Sequence, residues 1–244
     1  YYNPSWGRFI NADAIQYIDG SSLFTYCFNT PINLFDQTGT FGKAYHYDKT
    51  LLIASDFFID IFAKALAQGN QNVDTVYSPV AFFYIPYFQS WHFNTNSIKK
   101  GSNIDSRDTR TQESIDSAFG LLSSVLKYPK GSKTRIDMLW AAFHDFGMGL
   151  HAQQDIMGHS GPYGNSLIYT FSYGYFYYHT PGKIPGENKK IDDPSRKYYE
   201  LVNGKWVYSG YTTGQVADAV TSFYFLCIYF KLKSLGLDNE CMKP

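Results

Sequence analysis

Between His144 and His159 the chain reads "HDFGMGLHAQQDIMGH", which places three of its six histidines and two aspartates in otherwise apolar sequence. At about 100° per residue, the offsets from His144 to His151, Asp155 and His159 all fall near whole turns, so a helix carries the four on one stripe. The preceding run "IDMLWAAF" has the leucine, tryptophan and phenylalanine of a buried helix, which turns that stripe inward. Ionisable groups placed there need partners. His151 and Asp155 stand one turn apart, the i, i+4 arrangement in which two side chains meet at a single metal ion. His159 follows Gly158, a helix-ending signal, and can fold back onto the same cluster or hold a neighbouring ion. The span from His144 to His159 is roughly 22 Å, too long for one ion, so ligation by all four residues implies more than one. Gly147 and Gly149 each cost a helix about 1 kcal/mol against alanine and signal close backbone approach. The alternative is a set of core histidines satisfied by backbone carbonyls.

The elements that must position these residues are helical. With 244 residues the chain can bury a sizeable core. Lys+Arg and Asp+Glu are 21 each, so no global field advertises capture of nucleic acid, although a local patch is compatible with that balance. Cys27, Cys227 and Cys241 have neither redox nor zinc-knuckle spacing, so any metal relies on histidine and carboxylate. The longest apolar run, "SFYFLCIYF" (222–230), is too short to span a bilayer and reads as a core helix. Aromatics reach 19%, concentrated in "VAFFYIPYF" and "LIYTFSYGYFYYH", a pattern that suits a tyrosine-rich core, a membrane interface or a stacking surface. Residues 1–40 are turn-rich and read as short β pieces, whereas "DKTLLIASDFFIDIFAKALAQG" after Gly42 has helical period and closes on Gly69. The expected architecture is mostly α, an all-helical domain over 41–244 preceded by a short β and turn-rich segment over 1–40.

That first segment carries a resemblance. "YYNPSWGRFINADAIQYIDGSSLFTYCFNTPINLFDQTG" resembles the end of the core domain of Rhs/YD-repeat proteins, whose pattern is Tyr-Tyr-Asp/Asn-Pro, Gly-Arg-Phe, an Asp-containing turn, Asn-Xaa-Pro and a closing Asp-Pro-Xaa-Gly. The likeness covers residues 1–39 and implies that the chain is the tail of a longer protein. In that family the repeats form a hollow β shell, and the segment after the closing motif is a variable cargo, commonly a toxin secreted or delivered into a target cell and matched by a cognate immunity protein. Shell autoproteolysis would use Asp36 with Asp13 or Asp19, cutting after Thr40. Gln37 stands where the family usually has proline, and Thr40 where a larger apolar residue is common.

The cargo has its own, shorter likeness. "LHAQQDIMGHSG" resembles the His-Xaa-Xaa-Xaa-Asp helix of the zinc-dependent phospholipase C and single-strand nuclease superfamily, helical phosphodiesterases with two or three zinc ions. His151 and Asp155 match that motif; His159 lies two residues earlier than its counterpart, and the second such motif is missing, since Lys183 stands four residues after His179. The resemblance also implies ligation by the amine and carbonyl of the first mature residue, here Phe41, by His46 in "FGKAYH" and by His92 in "SWHFNTN". Asp56 or Asp60 would supply a further carboxylate. Release after Thr40 would create the Phe41 amine and so complete the site.

The implied chemistry is metal-assisted phosphodiester hydrolysis, with zinc lowering the pKa of bound water to about 7. Histidine and one or two carboxylates, Asp155 among them, satisfy such ions without cysteine. Asp56, if unligated, would orient the attacking water. Zero net charge and many aromatics lean towards phospholipid over nucleic acid as substrate. A non-enzymatic, membrane-active or binding toxin with a structural metal is the competing class. The stretch "GKIPGENKKIDDPSRK" offers Lys183, Lys189, Lys190, Arg196 and Lys197 as a phosphate-facing patch or as an ordinary solvated loop; Asp192 and Asp193 are late ligands or a cap.

Overall fold

The computed structural model describes residues 2–3, 8–9, 43–77, 86–92, 94–98, 104–159 and 193–244. The chain divides into two compact units, Tyr1–Thr40 and Phe41–Pro244. In the first, β1 (Tyr2–Asn3) pairs antiparallel with β2 (Arg8–Phe9). The second is mostly helical, as the hydrophobic periodicity predicts. A π-helical turn (Lys43–Lys49) runs into α1 (Thr50–Ala54), followed by α2 (Asp60–Val76), α3 (Pro86–His92), α4 (Ser106–Ser124) and α5 (Lys133–Gly158). A hairpin of β3 (Lys197–Val202) and β4 (Lys205–Thr212) then leads into α6 (Thr213–Ser234) and the short α7 (Asp238–Cys241).

α5 is the axis of this unit. Ser132 caps it by accepting from the Arg135 amide, and Leu139, Phe143, Phe146 and Leu150 turn one stripe into the core. That stripe packs on Phe58, Phe62 and Leu66, on Leu122 of α4, and on Phe225, Ile228 and Leu232 of α6. Phe62 stacks on Phe143 at 4.7 Å between ring centroids, while Phe58 meets Phe143 and Phe225 edge-on, the offset and T-shaped geometries that aromatic quadrupoles favour.

Two glycines set how close α2 comes to α5. A Cβ at Gly69 would lie 1.9 Å from the carbonyl oxygen of His144, and one at Gly147 would lie 2.1 Å from that of Leu66. The helices therefore cross in backbone contact. Gly69 does not end its helix, as the sequence pattern suggests, because it is the crossing point; α2 continues seven residues further and carries Asn70 and Asp74 towards α5. The expected close approach at Gly147 and Gly149 is found, the latter against Thr111 and Ser114 of α4. The helical pattern over 48–69 is also interrupted, by a turn over residues 55–57 and a β-bridge from Phe58 to Met242.

The helical unit is not all-helical, for the β3–β4 hairpin breaks that expectation. Its turn is Asn203-Gly204 with φ of 50° and 74°, the two positive angles of a type I′ turn, flanked by Tyr, Val and Trp at strand spacing. The stretch "VNGK" is the sequence signal for it. α6 begins in a capping box, with Thr212 and Gln215 exchanging side chain to backbone bonds, and buries only one side of the "SFYFLCIYF" run. Phe225 and Ile228 face the core, whereas Phe223, Leu226 and Phe230 are exposed. Among the described residues no helix is long and apolar enough to cross a membrane.

Candidate metal centre

Four elements converge on the C-terminal half of α5. His151 and Asp155 come from α5 itself, Asn70 and Asp74 from the end of α2, His92 from the last turn of α3, and His46 from the π-helical turn. Single π turns are uncommon and cluster at functional sites. His46, His92, His151 and Asp155 are all buried, and the Asp74 side chain keeps 28% of its surface open.

The donor atoms lie close together. Asp155 Oδ2 is 3.0 Å from His92 Nδ1 and 3.3 Å from His151 Nε2, and those two nitrogens are 3.2 Å apart. Asp155 Oδ1 lies 3.5 Å from His46 Nε2, and Asp74 Oδ1 lies 3.7 Å from His151 Nε2 and 4.0 Å from His92 Nδ1. In a tetrahedral site with zinc–ligand bonds near 2.0–2.1 Å, neighbouring ligand atoms stand about 3.3 Å apart. His46–His151–Asp155 and Asp74–His92–His151 are each groups of donors that could hold a metal ion.

The other nitrogen of each ring fixes which end carries a proton. His151 Nδ1 faces the Asn70 carbonyl at 2.9 Å and Asn70 Oδ1 at 3.2 Å, and His92 Nε2 faces the Tyr77 carbonyl at 3.2 Å. His46 Nδ1 meets Gln154 Oε1 at 2.8 Å. The Gln154 amide has that orientation because its nitrogen donates to the Thr50 and Thr221 hydroxyls, and Thr221 spends its own proton on the Ala217 carbonyl. All three outward partners are thus acceptors, and each takes the N–H of its histidine. The remaining lone pairs, Nε2 of His46 and His151 and Nδ1 of His92, point at Asp155.

A purely hydrogen-bonded cluster would need extra protons between those lone pairs and the carboxylate, making buried imidazolium ions in contact. The electrostatics record that tension. Burial opposes ionisation of Asp155, yet His151 and His159, with hydrogen bonds from His151 and His92, hold it well below the ordinary carboxylate range. Burial, then His46, push His151 down. His92 is pushed down by burial as well, but bonding to Asp155 and the charges of Asp155 and Asp74 outweigh this and raise it. Protons and cations compete for the same place.

Behind the ligands, Arg107 is fully buried, bound bidentately by Asp105, and donates from Nη1 to the Asp155 carbonyl at 3.0 Å. His159 is buried beside the cluster, with Nδ1 3.0 Å from the His92 carbonyl, so it ties α3 to the end of α5 and is absent from both donor groups. A narrow cleft bordered by Tyr45, His46, Gln154, Asp155, Thr213 and Gly214 reaches the His46 edge of the cluster.

His144 shares the stripe of His151 but lies two turns away, beyond the crossing with α2. It stacks on Trp140 and bonds Asn72 at 2.9 Å instead. Asp56, expected to orient water, is exposed in the turn after α1, and Asp60 is exposed at the start of α2. Arg196 belongs to no surface patch: it is buried and donates to the Gly158 carbonyl. Asp193 accepts from the Ser195 amide and hydroxyl and caps the turn before β3. Asp13, Asp19, Asp36, Thr40, Phe41, Lys183, Lys189, Lys190 and Asp192 lie outside the described residues. Asp74 is the candidate metal donor that motif matching missed. Asn70 and Asp74 repeat on α2 the i, i+4 spacing of His151 and Asp155 on α5, two polar groups beside the buried Ala63, Leu66, Ala67 and Val73.

The fold and the cluster define a helical protein with a buried histidine and carboxylate centre fit for a metal ion. Comparison with known protein families, with curated proteins and with solved structures finds no match for this chain.

Proposed function

We propose that residues 41–244 are a zinc-dependent phosphodiesterase, a toxin cargo of an Rhs-type shell, with phospholipid as the preferred substrate class. One observation carries the catalytic part: three histidine lone pairs, each fixed by an acceptor on the far nitrogen, converge on the Asp155 carboxylate. Histidine and carboxylate are the donor set that zinc accepts without cysteine. Bound zinc would supply Lewis acidity and a hydroxide near neutral pH.

The chain's own groups do the rest. Gln154, Asn70 and Tyr77 hold the rings in the ligating tautomer, so no reorganisation is needed when a phosphodiester arrives. Asp74, the most open carboxylate of the cluster, would accept a proton from the attacking water as its oxygen joins phosphorus and return it to the ester oxygen as that bond breaks, giving a monoester and an alcohol. The narrow cleft at the His46 edge would admit the attacking water and mark the side from which a phosphate oxygen reaches the centre. His151 is shared by the two donor groups and can serve only one, so a first ion would be held by His46, His151 and Asp155 or by Asp74, His92 and His151, and a second would draw on the donors that the first leaves free. A third would need donors from outside the described residues, the Phe41 amine being the one the Rhs likeness suggests. The same likeness is what supports an immunity protein, a shell partner and delivery into a target cell.

Deep burial of the ligands favours a second reading, a structural metal in a non-enzymatic toxin. Metal analysis of the chain and of Asp155→Asn and His151→Gln variants, with zinc-supplemented assays on phospholipid vesicles and single-stranded DNA, separates the two. Hydrolysis that both variants lose supports the enzyme and names its substrate. Bound metal without hydrolysis of either substrate refutes it in favour of the structural reading.

A further inference from the structure

The β3–β4 hairpin sits at the cleft and is poorly covered. Arg196 and Thr213, which bracket its base, are joined by a backbone bond of 2.9 Å, and Thr213 and Gly214 border the cleft that leads to His46 and Asp155. The register puts Tyr199 opposite Tyr208 and Leu201 opposite Trp206, so one face carries two aromatic and aliphatic cross-strand pairs. The other face carries Glu200 opposite Val207 and Val202 opposite Lys205. Leu201, Val202, Val207, Tyr208 and Tyr211 are 45–59% exposed, and Leu201 from one face with Val202 and Val207 from the other makes the end of the hairpin around the Asn203-Gly204 turn apolar, on a hairpin too small to be stable without cover.

We infer that this hairpin is a docking element for a phospholipid surface, inserting its apolar tip, Leu201 and Trp206 from one face and Val202 and Val207 from the other, at the headgroup level. Trp and Tyr with aliphatic neighbours are the residues that partition into a bilayer interface, and Lys205 lies at the tip to meet phosphate groups. Nucleic acid fits less well. The most exposed side chains at the tip, Leu201, Val202 and Val207, offer no ring on which a base stacks, and the balanced charge of the chain gives no pull towards a phosphate backbone. The inference rests on the phosphodiesterase reading only for its purpose, since docking is measured without hydrolysis.

A rival apolar and basic surface supplies the control. The turn after α4 exposes Leu126 and Tyr128 among Lys127 and Lys130, but it stands at the far end of α5, about 33 Å from Asp155 at 1.5 Å per residue. Docking there would hold the cleft away from the lipid.

The test is co-sedimentation of the full chain, carrying Asp155→Asn to silence hydrolysis, with phosphatidylcholine vesicles with and without phosphatidylserine. Leu201→Ser/Val207→Ser is expected to weaken partitioning at least about tenfold, because withdrawing two such side chains from an apolar phase exceeds the free energy of one decade. Leu126→Ser/Tyr128→Ser should leave it unchanged. Brominated phosphatidylcholine gives a second readout that does not depend on the double variant folding: it should quench tryptophan emission, and Trp206→Phe should remove the quenched component. Absence of vesicle binding, binding lost only in the Leu126/Tyr128 variant, quenching that survives Trp206→Phe, or retention on single-stranded DNA in place of vesicles each overturns the inference. Hydrolysis of a dispersed phosphodiester without vesicle binding would sink docking and leave the enzyme standing; vesicle binding by a protein that cuts neither substrate would do the reverse.

Discussion

Gly147→Ala probes the architecture on which the centre depends. The new Cβ would lie 2.1 Å from the Leu66 carbonyl oxygen, 2.9 Å from its carbon and 3.0 Å from the Asn70 amide nitrogen. An ordinary contact needs about 3.4 Å, and every obstructing atom is backbone, so α2 must retreat by roughly 1 Å as a body or the helices must bend. Overpacking of this kind costs about 3 kcal/mol at the upper end of its usual range. Alanine returns about 1 kcal/mol of helix propensity, leaving a net loss near 2 kcal/mol. For a chain of this size that is roughly 4–8 °C in melting temperature. The displaced helix carries Asn70 and Asp74, so the His151 ring loses its acceptor and zinc affinity falls with stability. Thermal melts and zinc competition on the full chain read both effects. Gly120→Ala is the control: nothing lies within 4 Å of its Cβ, so propensity alone acts and the melting temperature rises. If Gly147→Ala behaves like Gly120→Ala, the backbone crossing of α2 and α5 is wrong.

Gln154→Leu removes the acceptor of His46 Nδ1–H and of the Asn70 amide, and the amide that donates to Thr50 and Thr221; zinc affinity should drop by about 10–100-fold in competition titrations, as for other partners that orient a ligand. His92→Phe should abolish zinc binding at micromolar metal, whereas His144→Phe should leave metal content intact, because His144 serves Trp140 and Asn72; equal loss in both would restore His144 as a ligand. Zinc affinity should fall as pH drops from about 8 to about 5, because ligation needs neutral imidazole and the ordinary histidine value is about 6.5. Asp155 and Asp74 raise His92, so in the metal-free protein its proton begins to compete above that value; affinity independent of pH across this window would argue against histidine ligation.

Much of this is legible in the chain alone, and the failures have identifiable causes. The α5 stripe can be read because its leucine and phenylalanine spacing is long and unbroken, and with it the inward direction of His151, Asp155 and His159. Azimuth is not distance, however. His144 shares the stripe and still lies outside the cluster, since two turns of helix and the crossing at Gly147 separate it from His151. Gly69 looks like a helix end, because a glycine needed for backbone contact carries the same local signature as one needed for a cap. Asp74 is hidden for a related reason: its role exists only where α2 meets α5, and pattern reading along one helix does not reach the partner helix. The hairpin is a different failure. Asn203-Gly204 between Tyr, Val and Trp at alternate positions is the strongest short-range hairpin signal, and the helical texture around it masks it.

The arrangement behind the ligands bears most directly on what the centre is for. Histidines that merely fill a helical core need one acceptor each, and a backbone carbonyl suffices. Here each ring has such an acceptor already, and its second nitrogen is nevertheless aimed at the same carboxylate as the other two. Satisfying one set of hydrogen bonds leaves the other set short of protons, and adding those protons would pack imidazolium ions 3.2 Å apart in a buried site. A cation held by His46, His151 and Asp155, or by Asp74, His92 and His151, would ease the conflict, taking two of the lone pairs while the far nitrogens keep their protons. Buried groups also fix the cluster in place: Gln154 is oriented by two threonines, and Arg107, neutralised by Asp105, grips the Asp155 carbonyl. A core built for packing alone would have no use for a charge pair at that depth, because apolar residues of the same volume are at least as stabilising.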